Sequence, residues 1–213
     1  MGKSRLVFKE VSYMFQLNEN DKIAIKTVLD IKEYNEENFD PNILDQLEND
    51  PKILSLLKKY GGELLGDSRY LKLTKFIQHG DVTVYQHCIH VALCALKFDD
   101  RFNTGADLKS LVRGALLHDY FLYDWHDGSA PGNIHPKLHG FYHPGIALKN
   151  AVKDFDLSKR EKDIIKKHMW PLTLNPPRCR EGWIVCVADK YASTLETLKL
   201  KKGIIAIDYA ESL

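Results

Sequence analysis

The sequence predicts an all-α fold, a bundle of helices. Three observations carry that prediction. From Ser68 onward, apolar residues recur at helical spacing in one segment after another. Strands alternating with helices are absent, and neither GxGxxG nor GxxxxGK[ST] occurs, which removes the common sheet-based nucleotide folds. The chain of 213 residues is long enough to bury about 70% of its unfolded surface around one core.

The elements follow in order. Residues 21–34 begin with alternation and then mix periods, so they read as a short strand or a helix. Residues 41–60 read as helical. Asp50-Pro51 marks a break and a new start, since proline's missing N–H costs nothing at a first helical position, and Gly61-Gly62 marks the stop. A short helix is expected at 69–77, a long apolar one at 83–98, and another at 107–119 with Asp107 as its N-terminal acid. Residues 124–142, rich in Gly, Pro and His, read as irregular. Pro144 is expected to open a helix over 144–155, leaving His143 outside it in extended geometry. Ser158 and Glu161 form a capping-box pattern for a helix over 158–168. Pro171, Pro176 and Pro177 stiffen the loop before the last helix, 181–200. The domain division expected is an N-terminal extension, 1–65, helical or mixed, and a main domain, 66–213.

Composition narrows function. Thirty Lys and Arg against 29 Asp and Glu give a net charge of +1. That balance lacks the electrostatic footprint of a nucleic-acid polymer or anionic membrane as partner. No run approaches the roughly 18 apolar residues of a membrane span, and the N-terminus lacks a secretory core, so a cytoplasmic protein is expected. Cys88, Cys94, Cys179 and Cys186 form no CxxC and read as reduced core cysteines.

The chemistry resides in nine histidines and their acidic neighbours. His87 shares a helix face with Val84, Val91 and Cys94, whereas His90 falls in the polar stripe with Gln86 and Lys97. His118-Asp119 closes an apolar helix, where a carboxylate beside an imidazole is costly unless a cation neutralises it. The alternative is Asp119 capping a backbone amide and His118 packing. His143 and His168 stand at helix ends. Asp189 sits in an apolar run, with Lys190 and Arg180 as alternative ion-pair partners. Five helices or helix ends thus each offer one inward unit. Imidazoles and carboxylates without thiolates suit Mn, Fe, Ni, Zn or Mg. Six side chains are enough for one or two divalent ions, with Asp119 bridging a pair.

The order His87, His118-Asp119, Asp189, in the contexts HCIHVA, GALLHD and ADKYAS, resembles the HD superfamily of metal-dependent phosphohydrolases. The resemblance covers roughly residues 70–200. It implies an all-α HD-domain bundle with the metal site between helices, and His87, His118, Asp119 and Asp189 as ligands of a first ion. His143 and His168 match the two further histidines of dimetal members. His168-Met169 stands where some branches have a His-His pair, and no GYP extension follows His118-Asp119. The stretches HDYFLYDWH, HGFYHP and KKHMWPLTLNPP are similar to a bacterial subgroup of HD-domain proteins without an assigned substrate.

The resemblance implies hydrolysis of a phosphoester or phosphoanhydride by metal-activated water. The substrate expected is a nucleotide or related small phosphorylated metabolite. Asp119 is the candidate proton acceptor and His79 a candidate substrate contact. Arg69, Lys72, Lys137, Lys167 and Arg178 are candidate phosphate holders, each as well explained as a solvated cation. Trp125, His126, His139 and Trp170 could line the mouth. A diiron oxygenase using the same ligands and a non-catalytic nucleotide-binding module are the rival readings. Self-association stays open.

Overall fold

A computed structural model describes residues 50–126, 135 and 138–197. The element expected at 21–34, the helical stretch at 41–49 and the end of the last helix beyond 197 lie outside these residues.

The regular structure of the described chain is helical apart from one small hairpin, which agrees with the all-α expectation. Helix α1 (Pro51–Leu65) starts as the sequence predicts. Asp50 accepts from the amides of Lys52 and Ile53, and Pro51 takes the first helical position. It does not stop at Gly61-Gly62, however. Both glycines are buried inside the helix, and a Cβ on Gly61 would lie 2.6 Å from Leu116 Cδ1. The missing side chain of Gly61 lets α1 approach Leu116 and Val112 closely, and that packing outweighs the helix-ending tendency of glycine.

The segment expected as a helix at 69–77 is instead a 3-10 helix (Tyr70–Lys75) followed by an antiparallel hairpin, β1 (Ile77–His79) and β2 (Val82–Thr83). Gly80, at φ +60°, supplies the left-handed turn residue between the strands. Helix α2 (Val84–Phe102) opens on a capping box of Thr83 and Gln86 and runs four residues past the expected end at 98, to a left-handed Asn103. Helix α3 (Leu108–Leu117) is capped by Asp107, whose carboxylate accepts from Ser110 N.

Helix α4 (His139–Asp154) corrects the expectation at Pro144. The helix begins five residues earlier, and Pro144 lies within it. His143 is therefore helical rather than extended. Its Nδ1 donates to His139 O, one turn back, at 3.0 Å, and its ring is buried. That buried anchorage prevails over proline's bias on its predecessor. Helix α5 (Lys159–Lys167) has the expected capping box of Ser158 and Glu161. Helix α6 (Arg180–Thr197) completes the described bundle.

One core joins these helices. Ile53, Leu57, Leu64 and Leu65 of α1 meet Leu93 and Leu96 of α2, Leu111, Val112 and Leu116 of α3, Ile164 of α5 and Leu195 of α6. Cys88, Cys94 and Cys186 are buried and Cys179 half-buried, all as free thiols. Among the described residues no helix is long and apolar enough to cross a membrane.

Two devices fix α3 against α5, the helices whose C-terminal ends carry His118 and His168. The first is Arg113, buried, whose Nε donates to Glu161 Oε1 at 2.6 Å and whose Nη2 donates to Asp156 O at 2.9 Å. The second is Gly114, where a Cβ would lie 2.5 Å from Ile164 Cδ1 and 3.1 Å from Ile164 Cβ. The Ile164 Cβ cannot rotate away, so Gly114→Ala must push α5 outward. Overpacking of this kind costs about 3 kcal/mol at its upper range, against about 1 kcal/mol of helix propensity gained by alanine. The expected net loss is about 2 kcal/mol, a fall of roughly 4–8 °C in Tm for a chain this size, read by thermal unfolding. An unchanged or raised Tm would show that the helices have slack there.

Candidate metal centre

The bundle brings the ligand units to one place. Helix α2 carries His87 one turn after its capped start. His118 is the C-cap of α3, and Asp119 follows it. His168 is the C-cap of α5. Asp189 lies midway along α6. All six predicted ligand residues are buried: His87, His118, Asp119, His143, His168 and Asp189.

The geometry is convergent. His87 Nε2 lies 3.3 Å from Asp189 Oδ1 and 3.8 Å from Asp119 Oδ2. His118 Nε2 lies 3.5 Å from Asp119 Oδ2 and 3.7 Å from Asp189 Oδ1. On the other side, Asp119 Oδ1 faces His143 Nε2 at 3.1 Å and His168 Nε2 at 3.4 Å, without the alignment of a hydrogen bond. Asp119 thus stands between two pairs of imidazoles. The ligand atoms of His87, His118 and Asp119 lie within 4.8 Å of one another, as do those of Asp119, His143 and His168.

Each imidazole is anchored by its far nitrogen. His118 Nδ1 meets Ala115 O at 2.6 Å, His143 Nδ1 meets His139 O at 3.0 Å, and His168 Nδ1 meets Ile165 O at 2.9 Å. A carbonyl can only accept, so Nδ1 carries the proton, and in the neutral ring the Nε2 lone pair points inward. His87 has the same arrangement through Glu196.

These residues fit a metal. Nε2 of His87, Nε2 of His118 and Oδ1 of Asp119 are buried without hydrogen-bond partners, a cost that an ion at their focus removes. His143 Nε2 and His168 Nε2 meet at 2.8 Å. Two lone pairs at that distance repel unless a cation lies between them, and two imidazoles bound at right angles to one ion sit about 2.9 Å apart.

The electrostatics agree. Burial pulls the His87 imidazole down, but Glu196 and Asp189 outweigh it and hold it well above its ordinary range. Burial likewise opposes the charge on His118, and Asp119 overrides it upward. Burial pushes Asp119 up, yet His118 and His143 hold it well below the usual carboxylate range. Asp189 is likewise lowered against burial, by His118 and His87. Burial, helped by His118 and His143, lowers His168 to about 4 against the pull of Asp119. Without metal, protons on His87 and His118 neutralise the carboxylates; a metal must displace them. Affinity is therefore expected to rise with pH, by about tenfold per pH unit for each proton displaced, below the raised values of these two rings. Competition binding of Mn2+ between pH 6 and 8 checks this, and a flat profile would contradict it.

Other residues complete the picture. Gln78, on β1, donates from Nε2 to Asp119 Oδ2 at 2.7 Å and fixes that carboxylate. Nothing in the pattern of a three-residue strand signalled it. Asn150 Nδ2 holds the carbonyls of Tyr120 and Phe121, tying down the turn after Asp119. His90 was expected in a polar stripe but is buried, with Nδ1 2.7 Å from Glu196 Oε1. Glu196 lies seven residues, two turns, after Asp189, a spacing that could have revealed it.

His79 packs edge-on to His87, ring centroids 5.6 Å apart. Burial, reinforced by His87, lowers its pKa and keeps it neutral. His139 stacks on His143 at 4.5 Å, and Trp125 stacks on His139 at 5.0 Å. Trp170 packs against Trp183. Of the cations considered for phosphate, Arg69 is tied to Asp67 and to Asp154 O, and Lys167 to Asp163. Lys190 does not pair with Asp189 as an alternative reading allowed; its ammonium donates to His168 O and Cys186 O. Lys137 lies outside the described residues.

The family model of the HD domain matches residues 84–194, a span that begins at α2 and takes in all six converging residues. The chain belongs to the HD domain family. This places it in the superfamily of metal-dependent phosphohydrolases, whose domains bind divalent metals. No curated protein and no solved structure matches the chain. In this HD domain the doublet that names the family is His118-Asp119, at the end of α3.

Proposed function

We propose that the protein is a metal-dependent phosphohydrolase acting on a phosphoester or phosphoanhydride, in a nucleotide or related small metabolite. His87, His118, Asp119 and Asp189 would hold one divalent ion, and Asp119, His143 and His168 a second. The observation that carries this reading is the convergence of four imidazole Nε2 atoms and two carboxylates, every imidazole fixed by its Nδ1. When bound, such ions polarise a phosphoryl oxygen and lower the pKa of a water.

The chain's own groups supply the rest. Asp119 Oδ2 is pinned by Gln78, while Oδ1 takes no aligned hydrogen bond. While the position between His143 and His168 is empty, Asp119 Oδ1 is therefore the atom placed to accept a proton from the attacking water; with both positions filled it would serve as a ligand instead. His79, neutral and beside His87, offers a ring N–H to a substrate oxygen. Lys190 sets a positive charge behind His168 and helps offset charge developing at phosphorus. The near-zero net charge favours a small substrate over a polymer, and a cytoplasmic setting with no membrane partner is part of the same reading.

The test strips the full chain with chelator, reloads it with Mn2+, and measures phosphate release from nucleoside mono-, di- and triphosphates and phosphodiesters. Metal-dependent release from at least one class is expected. No release with any metal, together with substrate-linked oxygen uptake by the iron-loaded protein, would replace this reading with the diiron oxygenase.

A further inference from the structure

Four imidazoles point inward, but they are not anchored alike. His118, His143 and His168 each face a backbone carbonyl through Nδ1. His87 alone faces a carboxylate. Its Nδ1 lies 2.9 Å from Glu196 Oε2 and 3.1 Å from Oε1. Glu196 is itself buried, and its Oε1 is also held by His90 Nδ1 at 2.7 Å. A carboxylate acceptor makes a shorter, stronger hydrogen bond than a carbonyl, and pushes electron density toward the far nitrogen of the ring.

The two halves of the site also differ in charge. The half formed by His87, His118, Asp119 and Asp189 has two carboxylates at its focus and Glu196 behind it. Among the described residues, the half formed by His143 and His168 has only the shared Asp119. Both differences act in the same direction.

We propose that Glu196 is a positioning residue that makes the His87 half the tighter of two unequal metal positions, with the His143–His168 half the weaker. This rests on the metal-binding reading above. His90 serves Glu196: it fixes the carboxylate so that both oxygens stay within reach of His87. Metal then loads stepwise, first beside His87.

The experiment is a Mn2+ titration of the chelator-stripped full chain, read by calorimetry and by competition with a metal indicator. Two steps are expected in the wild type. Glu196→Gln keeps the shape and one acceptor but loses the charge. It is expected to weaken the first step by about 10–100-fold and the second by less than about threefold, the range expected for removing such a partner. His168→Asn should remove the weaker step alone. If Glu196→Gln lowers Tm but moves neither step, or moves both equally, Glu196 is merely structural and the proposal is overturned.

Should Glu196→Gln fail to fold, His90→Gln and wild-type nitrogen NMR decide. His90→Gln is expected to weaken the first step by a smaller factor, and the His87 Nδ1 proton should show the downfield shift of a carboxylate hydrogen bond. Absence of both overturns the proposal. A separate variant isolates the underlying reading: if His118→Asn leaves both steps intact, the metal centre itself is misplaced, whatever Glu196 does.

Discussion

Replacing Asp119 with alanine is expected to strip the protein of metal and to lower hydrolysis of any phosphorylated substrate by more than about 100-fold. The magnitude follows from position. Removing a group that merely orients a metal ligand already costs about 10–100-fold in affinity or activity. Asp119 faces all four imidazoles, with Oδ2 toward His87 and His118 and Oδ1 toward His143 and His168. Its loss removes a ligand from both halves and leaves Gln78 Nε2 without its acceptor. Asp119→Asn keeps the shape but leaves an oxygen toward only one pair of imidazoles, puts a donor-only NH2 toward the other, and carries no charge to neutralise two ions, so metal loss should persist. Metal content by elemental analysis and phosphate release check both variants. Retention of metal and turnover in Asp119→Ala would move the site elsewhere.

Glu161→Ala should have the largest effect on stability. Glu161 does two things at once. One oxygen accepts from Arg113 Nε at 2.6 Å, and the other accepts from Ser158 N at 2.6 Å to close the capping box. Both partners of the ion pair are buried. Removing one leaves the Arg113 charge uncompensated in the interior, which typically costs about 3–5 kcal/mol. Loss of the cap interaction adds about 1 kcal/mol. For a chain of this length that is a fall in Tm of roughly 8–24 °C. The double replacement Arg113→Met with Glu161→Leu should recover much of the loss, because the cost lies in the orphaned charge rather than in a missing attraction. Thermal and denaturant unfolding of the three variants would show it. A loss below about 1 kcal/mol in Glu161→Ala, the range of an exposed pair, would mean that water reaches Arg113.

Local chemistry made part of this structure legible. Ser158 and Glu161, Asp50 and Pro51, and Asp107 each satisfy helix-end amides through neighbours in sequence, so the pattern alone placed those starts. Gly61 and Pro144 were misread for the opposite reason. Their roles depend on what lies across the bundle: Leu116 against Gly61, and the buried anchorage of His143 beside Pro144. The hairpin at Ile77–Thr83 is too short for a period of two to show itself.

The same division holds at the site. His87 and Asp189 are conspicuous because a polar residue among apolar helical neighbours demands a partner, and His118, His143 and His168 because they stand at helix ends, free to turn toward one site. Gln78 and Glu196 are not, since amides and carboxylates near segment ends are commonplace on surfaces. His90 looked polar-facing until α6 laid Glu196 against it. Partners that act through a ligand are set by tertiary contact; of these two, Glu196 alone leaves a trace in the spacing, two turns after Asp189, and Gln78 leaves none.

The most direct test of the metal centre is elemental analysis of the full chain, as purified and after dialysis against Mn2+. The account predicts about one to two equivalents of a divalent metal per chain, the capacity of one or both halves. It also predicts that His118→Asn and Asp119→Ala lose that metal while keeping the helical signal of the wild type. Less than about 0.1 equivalent under both conditions, in protein that is folded, would contradict it.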